Sequence, residues 1–248
     1  MNDGITKKDI APFVLAGILM LLSELWKQYT LSSIPELKPG LRLWYLPLQL
    51  CSVPMYVCLL LPAGLKLEKY GKGVLAEALL SFLATFGLLS GIFVFFDTSG
   101  FYDAGYLPLT VHSYAWHILQ ILLGLAAFVL LVRRSRGSFA GAAVIFFLTA
   151  GIAEVFNLLL SPYGTVNFFY INPLYPMNQK YFREIAQFIG NRAGICLYLA
   201  AICLGAGLLY GLLGICSRRY VQKTRQQRQK ENTTGSRTGS SKGRKDCR

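Results

Sequence analysis

The chain has 248 residues, 54% of them hydrophobic and only 15% charged, well below the roughly 25% charge typical of a soluble domain. Its mean hydropathy is positive and its formal net charge is +13, so a soluble globular enzyme is excluded. The question is how the apolar residues are spaced.

They fall into about six blocks, each near the roughly 17–25 residues a helix needs to cross a bilayer: 12–29, 45–65, 75–96, 111–132, 139–160 and 194–216. None shows the polar face, at helical spacing, of a soluble amphipathic helix. The expected fold is an all-α, polytopic membrane helix bundle of about six transmembrane helices.

Lys7 and Lys8 precede the first block. It is too long for a signal-peptide core, and Glu24, Trp26 and Lys27 stand where small cleavage-site residues belong, so it reads as an uncleaved span. The second block opens with LPLQLCSVPMY, which places Pro47, Gln49, Cys51 and Pro54 within eight positions. Neither proline donates a backbone hydrogen bond, so the segment is expected to kink or unwind locally. Such backbone is tolerated at membrane depth only where protein or a water-filled cavity covers it. Cys51 is therefore expected to face a cavity, about six residues into its helix and on the order of 9 Å deep. Cys58, seven residues on, reads as core.

Gly87-x-x-x-Gly91 in the third block and Gly207-x-x-x-Gly211 in the sixth permit close helix approach. The loop after the third block holds Asp97 and Asp103. The fourth block carries HSYAWH, whose His112 and His117 stand roughly 140° apart on a helix. They share one small site only if the helix start is irregular, which also argues against a bis-histidine haem. His117, the deeper, is the better base. Glu154 and Asn157 close the fifth block. After it, residues 161–176 (SPYGTVNFFYINPLYP) are too rich in Pro, Gly and Asn for a helix and too apolar for a solvated loop. They either cap the bundle mouth or form an aromatic belt.

Lys66, Lys69 and Lys72 flank the second loop, and Arg133, Arg134 and Arg136 the fourth. The positive-inside rule puts these loops and both termini in the cytoplasm. Glu24, Gln49, Cys51, His112, His117, Glu154, Asn157 and Asn167 then share the non-cytoplasmic half of the bundle, and polar side chains placed inside spans are costly enough to mark a site. Beyond the bundle (1–216), the tail 217–248 holds eleven Lys and Arg against Glu231 and Asp246. It is expected to be disordered and to touch anionic lipid headgroups in the cytoplasm rather than nucleic acid. The sequon at Asn232 falls in this tail. The six cysteines lack both a disulfide framework and zinc-like spacing, so no metal and no cofactor is expected.

Taken in order, Glu24, LPLQLC, HSYAWH and YGTVNFFYINP form a pattern that resembles the YwaF family of bacterial membrane proteins and their eukaryotic transmembrane acyltransferase relatives. The resemblance covers roughly residues 12–216. Many members have His where Gln49 stands and Tyr where Phe168 stands. For the eukaryotic relatives the resemblance implies phospholipid acyl transfer through a cysteine acyl-enzyme, which would make Cys51 the nucleophile and His117 its base. Gln49 or Asn167 would donate to the oxyanion, and Glu24 or Glu154 would orient the histidine. The expected substrate is membrane phospholipid, transferred or hydrolysed, and the expected location a bacterial cell membrane. A small-molecule transporter predicts polar residues along the whole transmembrane path. A non-catalytic lipid-binding protein predicts that Cys51→Ala is silent.

Overall fold

A computed structural model describes residues 4–33, 43–69, 74–96, 98, 101 and 106–242. Lys72, Asp97, Asp103 and Cys247 lie outside the described residues. Six helices are long and apolar enough to span a membrane, and no strand occurs among the described residues. The chain is an all-α, polytopic integral membrane protein.

Helix α1 is Lys7–Ser32, started by a capping box in which Thr6 and Asp9 satisfy each other's backbone. A 3₁₀ turn, Leu50–Ser52, leads into α2, Val53–Lys69. Helix α3, Leu75–Phe96, contains a π turn at Leu83–Gly87. Helix α4 is Leu107–Arg134 and ends on a left-handed Ser135. Ser138 caps α5, Phe139–Leu160, and the short α6, Phe182–Ile189, precedes α7, Asn191–Lys242.

Helix α3 is the centre of the bundle: 61% of its apolar 18-residue stretch is buried, against 11% of the corresponding stretch of α7. It packs on α2 and α5, and its π turn meets α4 and α7. Apolar faces point outward, as Leu15, Leu19, Leu122 and Leu148 do, while Glu24, Thr85, His117, Gln120 and Asn157 are buried. That inversion suits a lipid solvent, in which packing and internal hydrogen bonds hold helices together.

Glycines set the closest approaches. A Cβ on Gly124 would lie 2.7 Å from Leu88 Cβ and 2.9 Å from the Leu83 carbonyl, and one on Gly17 would lie 2.8 Å from Cys58 Cβ. Gly91 meets Gln120, whereas Gly211 has nothing within 4 Å. The first small-residue motif is thus used for packing, and the second makes no close approach within the chain. The π turn displaces the Gly87 carbonyl, which accepts from Gln120 Nε2 at 2.8 Å.

One end of the bundle is fastened by ions. Arg134 bonds both Asp9 oxygens at 2.7 and 2.9 Å, and Arg136 pairs with the buried Glu77. The expected start of the second span moves from Tyr45 to the turn at Leu50. Pro54 sits in the first turn of α2 rather than inside a helix, where its missing N–H would have been unpaired anyway. At the other extreme, α7 continues past Ser217 to Lys242, where the sequence predicts an unstructured tail. Between Ser217 and Asn232 the tail offers no Gly or Pro to stop a helix.

Candidate functional site

Opposite the ion-paired end, a cavity of about 300 Å³ opens among α1, the Cys51 turn, α3, α4 and α7. Cys51 reaches it from the 3₁₀ turn, not from within a helix as the sequence suggested. The local reason is the pair of prolines. Two carbonyls that the irregular backbone leaves without helical partners are taken by side chains: Trp116 Nε1 donates to Cys51 O at 3.0 Å, and Tyr56 Oη to Pro47 O at 3.0 Å. The cysteine-bearing turn is thereby tied to the helix that carries the histidines.

Both histidines line this cavity, although the sequence expected them to diverge. His112 and Trp116 form one ridge of α4, Ser113 and His117 the next, and the cavity is wide enough to take both ridges. His117 is 7% exposed. Its Nδ1 lies 2.7 Å from the Ser113 carbonyl; a carbonyl only accepts, so Nδ1 carries the proton and the neutral ring's Nε2 is a bare acceptor. That Nε2 is buried without a partner. Phe101 stacks on the ring at 5.1 Å between centroids, fixing its plane. His112 sits between Trp26 and Trp116, at 5.7 and 5.6 Å.

The segment after α5 forms the cavity's lid, resolving the choice between cap and belt: Phe169 and Tyr170 line the cavity, and Val166 and Phe168 are fully buried beneath. Asparagines hold it there. Asn157 accepts from Phe168 N at 2.7 Å and donates to Phe168 O at 3.1 Å and to Glu154 at 3.0 Å. Asn167 accepts from Asn172 N at 2.9 Å, and Asn172 donates to Val166 O at 2.7 Å. Phe169 and Tyr170 have φ of 58° and 57°, left-handed conformations that cost roughly 1–3 kcal/mol each without such support. Phe169 N donates to Gln49 Oε1 at 2.9 Å. That bond orients the amide so that its Nε2, buried and unpartnered, remains as a donor at the cavity wall.

Of the residues singled out in the sequence, Glu24, Gln49, Cys51, His112 and His117 meet in this cavity, while Glu154, Asn157 and Asn167 do not. The last three support the lid from behind, and Asn167 lines a separate pocket that also touches Trp44. Neither glutamate orients His117; the Ser113 carbonyl does. Glu24 instead pairs with Lys27 at 2.8 Å and accepts from Gln28 at 2.8 Å. Trp116, Ser113 and Lys27 were not assigned to the site from the sequence. The signal for the first two was their i, i+4 relation to the two histidines. Among the described residues no three His, Cys, Asp or Glu converge to hold a metal. No known protein family, no curated protein and no solved structure matches the chain.

Proposed function

We propose that the protein is a lipid-modifying enzyme of the YwaF type, acting on phospholipid esters through an acyl-enzyme on Cys51. The observation that carries this reading is the convergence of a cysteine on a pinned turn with a histidine whose bare Nε2 has no protein partner, inside one apolar cavity.

His117 Nε2 takes the thiol proton as Cys51 Sγ attacks the ester carbonyl. The oxyanion accepts from Gln49 Nε2, the one amide of the two expected candidates that lies at the cavity, with the positive end of α2 behind it. Collapse breaks the ester C–O bond, and the imidazolium returns its proton to the departing lysophospholipid oxygen. A second hydroxyl, from a lysolipid or water, then attacks the thioester, giving a new ester or a free fatty acid and restoring the thiol. Acyl chains lie along Leu50, Leu89, Phe93 and Ile202. The host is a bacterial cell membrane, with the basic tail on anionic headgroups at its cytoplasmic face.

The test is to incubate the purified protein in micelles with an alkyne-tailed phospholipid and read a hydroxylamine-sensitive adduct. Cys51→Ala abolishes the adduct, and His117→Ala slows its formation by about 10²-fold or more. Folded protein that forms no adduct with any lipid class would leave lipid binding without chemistry as the better reading.

A further inference from the structure

Lys27 is a cation at the cavity that this chemistry leaves unused. It stands near the inner face of α1, its side chain 16% exposed, and bonds Glu24 Oε1 at 2.8 Å. Glu24 is itself held back: Gln28 Nε2 donates to the same oxygen at 2.8 Å and to the Tyr45 carbonyl at 2.7 Å, tying the carboxylate to the wall. An ammonium has three N–H donors, and this bond uses one. Lys27 lines the same cavity as Cys51, His112 and His117, so the ammonium shares one space with the groups that would handle the ester.

We infer that Lys27 is a phosphodiester subsite: its free N–H groups take the phosphate of a phospholipid and thereby set the ester over Cys51. A buried cation is costly unless paired, and Glu24 keeps it paired. The incoming phosphate adds a second, charge-assisted partner. The inference rests on the reading of this cavity as a lipid site, but not on any reaction at Cys51.

The chain's tryptophans report on the site directly. Trp44 and Trp116 line the cavity and Trp26 packs at a tilt against His112, and the chain has 3 in all. Lipids with brominated chains quench such fluorescence on contact. The full-length Cys51→Ala protein in micelles is titrated with dibrominated phospholipid and with dibrominated diacylglycerol, which lacks the phosphate. Because Lys27→Gln alone strands the buried carboxylate, the variant is Glu24→Gln/Lys27→Gln, with Lys27→Arg as the charge-keeping control. The expected result is a preference for phospholipid of about tenfold, kept in Lys27→Arg and lost in the double variant. Inorganic phosphate is expected not to relieve quenching; relief at millimolar levels would assign the subsite to free phosphate and overturn the lipid assignment. An unchanged preference in the folded double variant would overturn the role of Lys27 while leaving the lipid site standing. Absence of quenching by either lipid would remove the lipid site and, with it, the reading under which Cys51 acts.

Discussion

The residue that most changes the view of this site is Trp116. Its indole N–H holds the Cys51 carbonyl, so the helix that carries the histidines also positions the turn that carries Cys51. Trp116→Phe keeps the ring packed against His112 but removes the donor. Thioester formation is expected to slow by about tenfold with little change in thermal stability, since a single net hydrogen bond contributes about 0.5–1.5 kcal/mol. Equal rates for the two proteins would mean that the bond merely satisfies a carbonyl. Cys51, Gln49, His112 and His117 were legible in the sequence because polar groups inside spans stand out against an apolar background. Trp116 was not, because an aromatic in an apolar block looks like any other packing residue. Glu154 and Asn157 were legible as polar but not as scaffolding, because Asn157 bonds backbone groups of a loop whose path no periodicity foretells and Glu154 acts through Asn157.

At the scale of elements, the cavity exists because α3 and α4 approach closely just below it. Gly124 abuts the Leu83 carbonyl and Leu88 Cβ, at the π turn whose freed Gly87 carbonyl Gln120 satisfies. Gly124→Ala forces α3 and α4 apart against backbone, not against a pliant side-chain tip. Overpacking of this kind costs about 1–3 kcal/mol, which a melt in detergent reads as a lowered midpoint; Gly211→Ala, with nothing within 4 Å, is expected to leave it unchanged. Spans α3 and α5 were readable to the residue as apolar blocks. The start of α2 was not, because apolar content continues through Leu46 and Leu48 while the prolines at 47 and 54 delay the helix to Val53. The π turn carries no signature at all, being a response to packing on α4.

Across the whole molecule, the two ends have opposite characters. One carries Arg133, Arg134 and Arg136 with the ion pairs to Asp9 and Glu77; the other carries the cavity and its lid. By the positive-inside rule the basic end is expected in the cytoplasm. In intact cells, a membrane-impermeant maleimide is predicted to label Tyr163→Cys, whose native side chain is 74% exposed at the lid end, and to spare Lys66→Cys until the cells are opened. The reverse pattern would invert the topology and move the site to the cytoplasmic leaflet. The fold class was legible at this scale because a bilayer restricts what an apolar block of span length can be. A cavity at Cys51 was expected from its flanking prolines, but which residues wall it was not legible, since they come from helices distant in sequence.

The central claim, that Cys51 is acylated, is tested most directly by intact-protein and peptide mass spectrometry of the chain after brief exposure to a defined phospholipid. The expected result is one added acyl group per chain, released by hydroxylamine, mapped to the peptide containing Cys51 and absent from Cys51→Ser. Unmodified Cys51 in folded, lipid-loaded protein, or acyl groups spread over Cys196, Cys203 and Cys216 as heavily as over Cys51, would contradict it.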